Sequence, residues 1–303
     1  MRSKSLLRRV FVLIVAAGAC IGLLLLLDRD APHVASDVAA PAKLTVQVPS
    51  LLLERKRQSA VRIVASLSTF PGRMEQVRLC LQSLFRQTLP LDAVYVHIPF
   101  KIRRLNVSID EVALASELAE LQAAFGPKLL VRRGEDYGPA TKLIGTLKFE
   151  AEPSTLVVTV DDDVEYDPRM VQALFSGYLE HPDNFIANAC EEPTDINEPA
   201  WTYIYENRVC KGWACAFKGT LYRVGMFDKS IFDYSGVPPG CVVHDDVFLS
   251  GYLFRRGFRP FKIDVDFDSV VQHHWRPKFT VGGTEDIKYH QIECVRYFGV
   301  FAD

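Results

Sequence analysis

Between Thr155 and Tyr166 the chain reads TLVVTVDDDVEY, a run of β-favouring, mostly apolar residues that ends in three consecutive aspartates. Adjacent carboxylates repel one another, and a divalent metal is the simplest cation to gather them. In open α/β sheets ligands bind beyond the carboxyl ends of the strands, where Asp161, Asp162 and Asp163 fall. The competing reading is a solvated acidic turn, because aspartate is common in turns and Asp167-Pro168 looks like a helix start. The apolar strand leading in favours the metal site. A second acidic pair, Asp245-Asp246 in HDDVFLSG, opens a helix, and two carboxylates are more than an N-cap needs. Arg73 follows the first strand, where its guanidinium is able to clamp a diphosphate or stand as an ordinary exposed arginine. Lys142 lies at a helix start after the Asp136-Tyr137-Gly138-Pro139 turn, able to pair with a diphosphate or to be solvated. His273-His274 offers a neutral imidazole as a third metal ligand or packs beside Trp275. Trp213 and Trp275 are stacking platforms for a sugar or core residues.

Positioning these groups requires a scaffold, and from residue 61 the pattern alternates strand and helix, the signature of a mainly parallel sheet covered on both faces. Strands are expected at 61–67, 93–98, 128–131 and 155–160, with helices at 74–85, 110–125, 140–147 and 168–180. Beyond these come a strand at 185–189, an irregular stretch rich in Glu, Pro and Asn, and strands at 201–205 and 214–222. A helix from His244, strands at 261–265 and 270–275, and a helix capped by Thr284 close the chain. There is no GxGxxG or P-loop.

The first sixty residues read as address and tether. Val10 to Leu27 is an uninterrupted apolar run of 18 residues, long enough to span a bilayer. Arg2, Lys4, Arg8 and Arg9 precede it, against Arg29 alone just beyond, which predicts a cytosolic tail at 1–9 and a type II anchor at 10–27. A cleaved signal peptide with its site near Ala35–Ala40 is the alternative. Residues 28–59 read as a stem and 60–303 as the catalytic domain. Beyond a membrane, the Asn106-Val107-Ser108 sequon is usable for glycosylation and disulfides are permitted, with Cys210 and Cys215 a plausible local pair or buried free thiols. With 49% hydrophobic residues, 24% charged residues and a net charge of −2, the composition is that of an ordinary globular protein and carries no nucleic-acid footprint.

The succession of apolar strand, Thr69-Phe70-Pro71-Gly72-Arg73, helix, VVTVDDD and then HDDVFLSG resembles the GT-A class of nucleotide-sugar glycosyltransferases over most of residues 61–275. VDDDVEY and DDVFLSG are similar to the transferase domain of exostosin-like proteins, and the opening segment to family 2 transferases. The resemblance implies a Rossmann-like GT-A domain that uses Mn²⁺ or Mg²⁺ and a nucleotide-diphosphate sugar, UDP-sugars being favoured, to extend a glycan or glycoconjugate. It implies Asp161 and Asp163 as metal ligands, joined by His273 or His274, with Asp161 also holding the ribose or a metal-bound water. Thr69, Arg73, Lys142, Asp161 and Asp162 would then be nucleotide contacts, Asp162 facing away from the metal. Asp246, with Asp245 as its alternate, would be the general base, or would orient hydroxyls if configuration is retained. The setting would be the Golgi or endoplasmic reticulum lumen, or a bacterial inner membrane. Two other classes compete: nucleotidyl or phosphoryl transfer on clustered carboxylates, and a non-catalytic luminal sugar-binding domain of the same fold.

Overall fold

Strands buried on both faces must be apolar throughout, and their alternate residues must serve two different layers. That is how the central strands are used in the computed structural model, which describes residues 49–102, 107–108, 110–195, 200–274, 285–299 and 301. The chain runs through α1 (Pro49–Ser59), β1 (Ile63–Ser68), α2 (Met74–Phe85), β2 (Ala93–Pro99), the short β3 (Lys101–Ile102) and β4 (Val107–Ser108), and α3 (Glu111–Phe125). It continues through β5 (Leu129–Gly134), α4 (Thr141–Leu147), β6 (Leu156–Thr159), β7 (Val164–Tyr166), α5 (Met170–Glu180), β8 (Phe185–Ala187) and β9 (Cys190–Asp195). Then come β10 (Ala200–Ile204), β11 (Arg208–Val209), β12 (Trp213–Ala214), β13 (Thr220–Arg223), α6 (Pro239–Val243), α7 (Asp245–Arg255), β14 (Pro260–Lys262), β15 (Val270–His273) and α8 (Glu285–Phe298).

Among the described residues eight strands form one sheet in the order β11-β14-β8-β13-β6-β1-β2-β5. Strand β1 is parallel to β2 and β6, β2 to β5, and β14 to β8, while β13 runs antiparallel between β6 and β8. Ile63, Ala65 and Leu67 of β1 face a core shared with α2, α3 and α5, whereas Val64 faces one shared with α4, α7 and α8. The protein is therefore α/β and Rossmann-like, a mainly parallel sheet with helices on both faces.

Several local expectations change. The end of the presumed stem is helix α1, and its Leu52 is fully buried in the α2/α5 core. Lys56 adds an ion pair with Asp92 at 2.9 Å. The stretch read as irregular contains β9, which pairs antiparallel with β10 and β12 in a separate small sheet. The strand expected at 214–222 is broken by a 3₁₀ turn at Ala216–Lys218 that ends at Gly219, φ 90°. Cys210 and Cys215 are free buried thiols, and Cys241 of α6 instead joins Cys294 of α8. The 10–27 run, the sequon at Asn106, Trp275 and Thr284 lie outside the described residues. Within the described residues no helix is long and apolar enough to cross a membrane.

Candidate functional site

Parallel register places Ser66 of β1 beside Thr159 of β6 and Tyr95 of β2, so β1 and β6 deliver Thr69 and Asp161 at the same sheet edge. The Thr69 amide donates to the His97 carbonyl at 2.9 Å, and the Asp161 amide to the buried Tyr166 hydroxyl at 2.9 Å. Facing them, the turn before α4 is tied by the Gly138 amide on Asp136 Oδ1 and the Tyr137 amide on Thr141 Oγ1, both at 2.8 Å. Gly138 has φ 63°, and a Cβ there would stand 2.1 Å from the Val242 carbonyl oxygen. Only glycine permits that approach, which lets α6 and the head of α7 close on α4.

Two buried cations organise the carboxylates. Lys142 Nζ lies 2.6 Å from Asp161 Oδ1 and 2.9 Å from Asp245 Oδ2. One Arg73 nitrogen lies 2.6 Å from Asp162 Oδ1 and 2.7 Å from Asp163 Oδ2. Both cations are nine-tenths or more buried, at 5% and 8% exposure. Burial alone would pull the Lys142 ammonium down, but Asp161, Asp245 and Asp246 overcome it and hold its pKa well above the ordinary value. Burial pushes the Asp162 carboxyl up to about 6, against the pull of the Arg73 guanidinium and the Thr69 hydroxyl. Asp246 is raised well above the usual carboxylate range by burial and by Asp245, with Lys142 opposing. Neither aspartate at the head of α7 is engaged as an ordinary cap: Asp245 pairs with Lys142, and Asp246 Oδ1 accepts the Ala216 amide at 3.0 Å.

Thr69, Arg73, Lys142, the Asp161–Asp163 triplet, Asp245, Asp246 and His273 line one pocket of about 430 Å³, whereas His274 and Trp213 do not. Strand β15 pairs antiparallel with β7, which sets His273 on the pocket wall with its ring 5.9 Å from that of Phe217. His274 turns away: its amide donates to the Asp163 carbonyl at 2.6 Å and its ring nitrogen bonds the Glu165 carboxylate. Trp213 is not a sugar platform but core, its indole N–H donating to Glu191 Oε2 at 3.0 Å.

The triplet is gathered by Arg73 and Lys142, and among the described residues no group of three or more His, Cys, Asp or Glu side chains is arranged to hold a metal. Mg²⁺ is commonly bound by one or two carboxylates with substrate phosphates completing its shell, rather than by an all-protein cage. Asp161 and Asp163 at the pocket wall match that donor chemistry, and the neighbouring Asp162 Oδ2 is buried without a hydrogen-bond partner. Sequence reasoning missed Phe217, which carries no motif, and the role of Gly138, whose only signal was its place in a turn.

No protein-family model and no curated protein sequence matches the chain. Among solved structures it is similar to CMP:2-keto-3-deoxy-manno-octonic acid synthetase complexed with CTP, at TM-score 0.41 and 12% identity over 68% of this chain and 89% of that one.

Proposed function

We propose that the chain is a transferase for nucleotide-linked sugars, which moves a sugar from a nucleoside diphosphate, UDP above others, to a hydroxyl of a glycan or glycoconjugate. One observation carries the reading: two acidic motifs far apart in sequence meet in one pocket with two buried cations, at the strand ends where α/β sheets take ligands. Arg73 and Lys142 pair with the diphosphate oxygens through charge-assisted hydrogen bonds. Mn²⁺ or Mg²⁺, held by Asp163 and Asp161, would supply neutralisation of charge on the departing diphosphate. Asp246, its carboxyl raised by burial and by the neighbouring Asp245, takes the acceptor proton as the acceptor oxygen bonds the anomeric carbon. The bond between the anomeric carbon and the phosphate oxygen breaks and its electron pair leaves with the nucleotide; Asp245 is the alternate base, and His273 stands on the pocket wall. We also propose that residues 10–27 anchor the chain, type II, in a Golgi, endoplasmic reticulum or bacterial inner membrane.

A second reading, nucleotidyl transfer from a nucleoside triphosphate to a sugar, is favoured by the same pair of buried cations, which would together serve as a basic cradle for the triphosphate. The products separate the two. The full chain is incubated with UDP-, GDP- and CMP-sugars, or with triphosphates plus sugars, in Mn²⁺ or EDTA, beside an Asp161→Ala, Asp163→Ala control. Metal-dependent nucleotide release from one donor, lost in the control, is expected. Inorganic diphosphate release would establish the second reading, and no release from folded protein would leave a binding domain.

A further inference from the structure

A second pocket of about 430 Å³ adjoins the first and shares Phe217 as a common wall. None of the sequence-predicted site residues lines it. Its size is within the range of small-molecule sites. Two of its lining residues hold buried polar atoms without a hydrogen-bond partner among the described residues: Asn188 Oδ1, on a side chain 8% exposed, and Ser269 Oγ, on one 2% exposed. An orphaned buried acceptor or hydroxyl is costly, so each is explained if a ligand hydroxyl completes it. The Asn188 side chain is oriented by its amide nitrogen, which donates to the Lys218 carbonyl at 3.1 Å and leaves the oxygen as the acceptor.

The lining also includes exposed aromatic rings. Tyr205 is 73% exposed and Tyr203 is 44% exposed, and both line the pocket. Exposed rings beside hydrogen-bonding groups present an apolar face for C–H groups next to partners for hydroxyls. The charges cancel: Lys218 pairs with Asp268 at 3.1 Å and Lys262 with Asp264 at 3.4 Å. No net charge is left to recruit an anion.

We infer that this second pocket, built on Asn188, Ser269 and Tyr205, binds a neutral sugar ring, and that Phe217 separates it from the nucleotide pocket. The inference deepens the proposed transfer reaction, for which this ring would be part of the acceptor, and rests on that reading for its role. The binding itself is tested without nucleotide. Saturation-transfer NMR is run on the full chain with neutral methyl glycosides of glucose, galactose, mannose and N-acetylglucosamine, and with methyl glucuronide as the charged counterpart. At least one neutral glycoside is expected to bind, with affinity lowered tenfold or more by Tyr205→Ala and by Asn188→Leu, and without preference for the glucuronide. Tyr205→Ala, at an exposed position, is expected to keep the parent's UDP affinity, which shows that it is folded. Binding by no neutral glycoside, or binding indifferent to both substitutions, overturns the inference. Failure of the nucleotide reading appears separately, as absence of UDP binding in parent and variant alike.

Discussion

Lys142 and His97 are both buried near α4, yet the protein treats them in opposite ways. At the pocket end, burial of Lys142 is outweighed by carboxylates on two sides, so the charge is kept. At the seam between β2 and α4, His97 Nε2 bonds the Thr146 hydroxyl at 2.8 Å, and burial beside Arg132 and Lys148 drops its pKa to about 3. Unopposed burial neutralises a titratable group; burial among opposite charges preserves it. At His97 the buried group is thus neutral, while the pocket end of the sheet concentrates charge.

The sharpest way to break this contrast is to remove Lys142, one of the pocket's two buried cations. Lys142→Met leaves Asp161 and Asp245 without their counter-ion and is expected to cost about 3–5 kcal/mol in urea unfolding. Adding Asp245→Asn should recover part of that loss; a neutral single variant would show that the pairs are only decorative. Gly138→Ala places a methyl 2.1 Å from the Val242 carbonyl at positive φ, and about 1–3 kcal/mol should be lost as α6 is pushed from α4.

The two regions also titrate with opposite signs. His97, lowered from 6.5 to about 3, binds a proton in the unfolded chain but not in the fold between those values, so its contribution is present above pH 6.5 and fades as pH falls. Asp162, raised from 3.8 to about 6, binds its extra proton in the fold, so its contribution fades as pH rises through that window. In metal-free protein, His97→Gln should flatten the acid loss of stability and Asp162→Asn should steepen it, as read by unfolding at successive pH values. The smallest effect is expected at His273, exposed on the pocket wall: His273→Ala should change stability by no more than about 0.5 kcal/mol. Any loss of Mn²⁺-linked nucleotide affinity in that variant would then report a ligand role.

What the chain announced in advance follows the same division. Apolar runs bounded by Pro and Gly located β1, β2, β6 and α2 to within a few residues, because buried parallel strands are mostly apolar and carry no charged residue to blur the pattern. Strand β9, Cys-Glu-Glu-Pro-Thr-Asp, was hidden because its residues disfavour strands and only pairing with β10 and β12 makes it one. Helix α1 was hidden for a similar reason: its one fully buried residue, Leu52, leaves no sustained apolar stripe. At the site the acidic motifs were legible, since charge after an apolar strand is conspicuous. The pairing of Arg73 with Asp162 and Asp163, the turning of His274 to Glu165, and the shared Phe217 wall depend on tertiary approach and leave no local signal.

The central proposal is that Arg73 and Lys142 bind a nucleotide's diphosphate. Calorimetric titration of UDP into the full chain, with Mn²⁺ or EDTA and beside Arg73→Gln, tests it most directly. The account predicts binding that requires Mn²⁺ and weakens at least tenfold, about 1.4 kcal/mol, in the variant. Equal affinity in variant and parent, or no binding by protein that unfolds cooperatively, would contradict it.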